Sequence, residues 1–258
     1  MNDRVDLLEL IRKIGLRLAR DAFDAWLTHA TKSKASPAQM IEQLCALEQR
    51  EREARNLERR QKSATIGNPK TLDRFDWNHP RSIDRELYEQ LHTSLDFVRC
   101  GENILLRGQA GVGKTTLAQH LGLRALERGH TVRFCTLSFA LADLLKQESI
   151  PATERRMRRY TAPDLLLLDE LGYVPCDSRA ADMLFHIITR RHESRSVVIT
   201  TNLAFKQWGS VFHDASCLGA LVDRFAQHCH VIDIDAESWR NKETALRRSK
   251  SRKTASDE

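Results

Sequence analysis

Eight residues, GQAGVGKT from Gly108 to Thr115, constrain this chain more than any other stretch. They fit G-x-x-x-x-G-K-[ST] at every fixed position. Gly108, Gly111 and Gly113 accept backbone angles closed to other residues. The N–H groups of such a loop can turn inward at a helix N-terminus, where the dipole favours an anion. The flanks agree: an apolar strand, Ile104 to Leu106, enters the loop, and a helix carrying Leu117 and Leu121 leaves it. The loop reads as a phosphate cradle formed by Gly108, Gln109, Ala110, Gly111, Val112, Gly113, Lys114, Thr115 and Thr116. Lys114 would reach the β and γ phosphates of ATP, and Thr115 would offer its hydroxyl to Mg²⁺.

The rest of the chain beyond residue 80 supplies the sheet that such a loop needs. NILLRG, VRFCTL, LLLLDE, SVVITTN and HVIDID are short apolar runs separated by helical patterns. Continuous apolar strands alternating with helices predict a five-stranded parallel sheet covered on both faces. Asp169 ends the LLLLD strand at the carboxyl edge, where ligands bind in such sheets. Asp169 is therefore the expected metal-side acid, and Glu170 the expected activator of the attacking water. The polar end of VVITTN brings Thr201 and Asn202 to the same edge, and Asn202 is the expected polar sensor that orients this water.

Formal net charge is +6 over 258 residues, a moderate excess that hints at an anionic partner. Two clusters concentrate it. QREREARNLERRQK, Gln49 to Lys62, is either a solvated helix with i,i+4 pairs or a basic interaction surface. TERRMRRY sets Arg155, Arg156, Arg158 and Arg159 around Met157, and reads as a helix that contacts nucleic-acid phosphates. Arg224, in LVDRFAQH, lies between the fourth and fifth strands on an apparent helix; position alone leaves it a surface cation or an arginine finger.

The N-terminal part reads as all-helical. Leu7, Ile11, Ile14 and Leu18 recur at helical spacing and predict one helix over 5–29. A second begins at Ser36-Pro37, with Gln39 completing a capping box, and carries Ile41, Leu44, Cys45 and Leu47 on one stripe. Residues 67–80 lose periodicity and read as a linker. The expected organisation is a helical domain at 1–66, the linker, an ATPase domain at 81–245 and a basic disordered tail at 246–258. The six cysteines form no C-x-x-C pair and read as free thiols of a reducing compartment. The acidic start is no signal peptide, and no apolar run suits a membrane span. A cytoplasmic protein is expected.

The residues ENILLRGQAGVGKTTLA, LLLLDELGYVP, RRHESRSVVITTNLAFKQW, DRF and ESWR together resemble the IstB family. These are ATP-binding helper proteins of insertion-sequence transposition, AAA+ ATPases similar to DnaC helicase loaders and more distantly to DnaA. The charged helix before the ATPase part favours that family over the loaders. The resemblance implies that the sensor strand lies between the loop strand and the acid strand. It implies that Arg224 is the finger that enters a neighbouring subunit's site, and that Arg240 in ESWR senses nucleotide. It also implies a homo-oligomer with shared ATP sites, duplex DNA as a partner and a cognate transposase to recruit or stimulate. A DnaC-like helicase loader is the alternative. A scaffold that scarcely hydrolyses ATP is a third reading, disfavoured by the acid after Asp169.

Overall fold

The computed structural model describes residues 6–239 except Lys34, Lys70, Val174 and Asp214. The tail at 246–258 and Arg240 therefore lie outside the described residues. The chain divides into two compact units, Met1–Arg60 and Gln61–Glu258. Among the described residues no helix is long and apolar enough to cross a membrane.

The first unit holds α1 (Leu7–Lys13), α2 (Arg20–Lys32) and most of α3 (Pro37–Ala64). The single helix expected over 5–29 is thus two. Gly15, at φ 98°, ends the first, so the apolar period does not carry across the break. Leu7 and Ile14 of that period are exposed, while Leu8, Leu18 and Phe23 form the core with Leu44 and Leu47 of α3. The capping box at the start of α3 is present: Gln39 N donates to Ser36 Oγ at 3.3 Å and Ser36 N to Gln39 Oε1 at 2.8 Å. The charged stretch continues this helix. Glu48, 5% exposed, accepts from Arg17 N, Arg52 and Arg55.

The second unit is a sheet with helices on both faces. Its strands are β1 (Ser82–Ile83), β2 (Asn103–Gly108), β3 (Val132–Thr136), β4 (Leu165–Leu171), β5 (Ser196–Thr201) and β6 (Cys229–Asp235). Their order is β1-β6-β2-β5-β4-β3. The five expected strands are all parallel, and β5 lies between β2 and β4. A sixth, β1, adds two residues antiparallel to β6 at one edge. It is too short to show a period in sequence. The helices are α4 (Arg85–Ser94), α5 (Asp96–Cys100), α6 (Lys114–Glu127), α7 (Leu137–Leu145), α8 (Ile150–Thr161), α9 (Ser178–Arg191) and α10 (Leu218–Ala226). Ile104, Leu105, Leu106 and Leu165 to Leu168 are fully or almost fully buried, as both-face coverage requires.

Candidate nucleotide site

β2 delivers the chain to the glycine loop, and α6 begins at Lys114 directly after it. Gly111 and Gly113 take φ of 82° and 96°, conformations that side chains rarely adopt. Space as well as angle excludes a Cβ at Gly113, where it would meet Phe75 Cε2 at 2.5 Å. Lys114 is buried, and its ammonium donates to Gly108 O at 2.8 Å and Gln109 O at 2.7 Å. The loop thus curls around its own lysine.

The acid strand is not regular where it matters. Leu168 pairs with Ile199 and Leu171 with Thr201, so β4 spends one more residue than β5 over this interval. Such a bulge re-aims side chains. Glu170 takes φ 66°, in the left-handed region. The result separates two neighbours: Asp169 is buried at 4% exposure and Glu170 is exposed. Thr115 Oγ1 lies 3.0 and 3.1 Å from the two Asp169 carboxylate oxygens. Thr200 Oγ1 donates to Asp169 Oδ1 and accepts from Glu170 N at 3.0 Å.

A cavity of about 360 Å³ opens here. Its wall includes Gly111 to Thr116, Glu170, Tyr173 and Thr200, and also Thr71, Phe75, Asp76, His79 and Trp239. The stretch read as a linker therefore supplies four wall residues. Aromatic packing holds it: Phe75 meets Trp77 edge-on at 4.7 Å, Trp77 lies 5.5 Å from Tyr88, and Tyr88 donates its hydroxyl to Leu117 O. Trp239 N donates to Gly111 O at 3.0 Å, and its ring meets His79 edge-on. No periodicity in the sequence marks these contacts.

Gly108, Gln109, Ala110 and Asp169 lie behind the lining residues, and Asn202 and Arg224 stand outside the wall as well. Asn202 is exposed, with Thr200 rather than Asn202 touching the acids. Arg224 donates to Thr189 Oγ1 at 2.6 Å and lies 4.8 Å over the Phe185 ring, both on α9. The arginines of α8 divide: Arg156 is spent on Asp143, while the side chains of Arg155, Arg158 and Arg159 make no hydrogen bond or ion pair among the described residues.

The residues present suit a triphosphate with a hard cation. The loop offers a glycine-lined cradle and a lysine. Thr115 and Asp169 bring oxygen donors together beside it, the ligand type that Mg²⁺ takes.

A parallel sheet with this strand order, a glycine loop leading into α6 and an acid at the end of the second strand after it in sequence define a P-loop nucleotide-binding fold of the AAA+ class. Solved structures agree on the fold. The DnaI crystal structure matches 67% of this chain and 90% of its own, with TM-score 0.52 and 17% identity. A replication initiator DnaA bound to AMPPCP and single-stranded DNA matches 64% of this chain and 52% of its own, so this chain spans about half of it, with TM-score 0.51 and 19% identity.

The family described as IstB-like ATP binding protein matches residues 10–247, and the chain belongs to it. Among relatives, a Pseudomonas aeruginosa protein named for ATP binding in insertion sequence IS21 is 38% identical over 203 residues, 78% of this chain and 76% of the relative. A Geobacillus stearothermophilus protein named likewise for IS5376 is 30% identical over 250 residues, 97% of this chain and 98% of the relative.

Proposed function

We propose that this chain hydrolyses ATP with Mg²⁺ and uses the nucleotide state to assemble on duplex DNA, where it recruits or stimulates the transposase of its insertion sequence. The observation that carries the reading is the bulge at Asp169 and Glu170. It leaves one acid buried beside Thr115 and turns the other into the cavity beside the glycine loop. Lys114 and the loop N–H groups hold the phosphates. Thr115 and Asp169 hold the metal, which when bound offsets phosphate charge. Glu170 accepts a proton from the attacking water, and Asn202 or Thr200 orients that water. Arg224 of a neighbouring subunit serves as the cation that enters the site.

Relatives named for insertion sequences support transposition over helicase loading. The helical residues 1–66 serve as a DNA- or partner-facing part, and Arg155, Arg158 and Arg159 contact DNA phosphates. Arg240 contributes to nucleotide sensing. A Glu170→Gln variant tests the whole scheme. It should bind ATP normally, release phosphate at least ~100-fold more slowly, and accumulate on duplex DNA as an ATP-bound oligomer that retains the transposase. Wild-type turnover in that variant would remove Glu170 from its role. A DNA-free monomer at saturating ATP would remove assembly from the function.

A further inference from the structure

A second cavity, of about 520 Å³, lies where the start of the edge strand β3 meets the end of α8. Its wall includes Ser63, Thr131, Arg133, Arg158, Arg159 and Pro163. Arg133 is 6% exposed. Its one side-chain hydrogen bond among the described residues runs from Nη1 to Ser63 O at 3.2 Å, and its Nε is buried without a partner. Burial, and then the charge of Arg159, press its pKa below the usual guanidinium value.

The nearby acids are engaged elsewhere. Asp143 accepts from Arg156 and Tyr160, and Asp164 accepts from Thr131 N and Oγ1. Arg158 and Arg159 have no ion pair among the described residues. Three guanidinium groups therefore line one cavity, and among the described residues none has a carboxylate within ion-pair distance, although the charge of Asp143 is felt by Arg133 and Arg159. Burying a charge without a counter-charge is costly, and a guanidinium fork matches the oxygens of a phosphate. A backbone phosphodiester presents two charged non-bridging oxygens on a tetrahedral centre, and guanidinium forks pair with such oxygens bidentately.

We propose that Arg133, Arg158 and Arg159 jointly hold one backbone phosphate of duplex DNA. The proposal rests on the reading that the chain assembles on DNA. It adds Arg133, which no basic run marks in the sequence, and makes the contact a single shared site.

The test is the salt dependence of duplex binding by the full chain at fixed, saturating non-hydrolysable ATP analogue. One phosphate contact contributes about 0.9 to the log–log slope. An Arg158→Gln/Arg159→Gln variant and the triple variant with Arg133→Gln should each lose about 0.9. Three independent contacts would cost the triple variant about 2.7 and overturn the shared site. An unchanged slope in the double variant overturns it as well, while wild-type binding to duplex would still leave the DNA reading standing. Wild type that fails to bind duplex sinks both. If Arg133→Gln does not fold, judged by its thermal melt, the double variant alone decides. A parallel arm titrates inorganic phosphate without DNA. Saturable stabilisation of wild type, lost in the double variant while its DNA slope stays intact, would assign the site to free phosphate and overturn the proposal.

Discussion

Thr200 serves two neighbours with one hydroxyl. It donates to Asp169 and accepts from the backbone N–H of Glu170, so it ties the proposed metal-side acid to the left-handed residue that carries the other. Thr200→Val keeps the shape and removes both bonds. ATP turnover should fall ~10–100-fold, the usual loss when a group that orients a metal ligand is removed. The KM for ATP should stay nearly constant, and Thr200→Ser should recover the rate. Steady-state phosphate release measures both, and an unimpaired valine variant would leave Thr200 a packing residue. The sequence points to this strand end, because VVITTN turns polar where the core stops. It does not point to Thr200. Choosing among Thr200, Thr201 and Asn202 needs the register against β4, and the extra residue of the bulge shifts that register. Nothing in the composition of LLLLDEL announces the bulge, which arises from the pairing of two strands far apart in sequence.

Among the elements, α7 and α8 are joined by a charged clamp. Arg156 and Tyr160 of α8 both donate to Asp143 of α7. Burial opposes ionisation of Asp143, but these hydrogen bonds prevail and hold its carboxyl below the ordinary value of 3.8. A depressed carboxyl contributes stability above its unfolded value and loses it as the pH falls through the folded one. Asp143→Asn should therefore cost about 1–2 kcal/mol at neutral pH. The gap to wild type should narrow below pH of about 4. Urea unfolding at pH 7 and at pH 3 checks this, and an equal gap at both would discount the clamp. TERRMRRY reads as four equivalent cations in sequence. The partner that withdraws Arg156 from that set lies 13 residues upstream on another helix. The two N-terminal helices show the opposite limit: their period is legible, but Gly15 breaks it, and only the fold tells which apolar residues face inward.

For the molecule as a whole, the parallel sheet and its loop were legible because alternating buried strands leave a strong pattern. The two-residue β1 leaves none. Arg224 also belongs to this scale. In its own chain it packs on α9 and takes no part in the cavity wall, so a role in catalysis requires a second subunit. Arg224→Ala alone should lower turnover about 10³-fold, the lower range for a lost finger. Lys114→Ala alone should lose ATP binding. Mixing the two should restore part of the activity, since one partner keeps a working cradle and the other a working arginine. No recovery across a range of mixing ratios would argue that each site is complete within one chain.

The two flanks of the nucleotide-binding core close on the glycine loop from opposite ends of the unit: Phe75 against Gly113, and Trp239 on Gly111. This bears on how the protein is cut for study. A fragment trimmed to the sheet, from Ser82 to Asp235, keeps the glycine loop, Asp169, Glu170, Asn202 and Arg224 yet discards both fasteners and Arg240. Isothermal titration should find it markedly weaker for ATP than residues 61–258, with its thermal unfolding less responsive to nucleotide. Equal affinity in the two fragments would show that the loop holds its shape unaided. Boundaries drawn around the sheet would thus yield a piece that binds nucleotide weakly although it keeps the glycine loop and both acids.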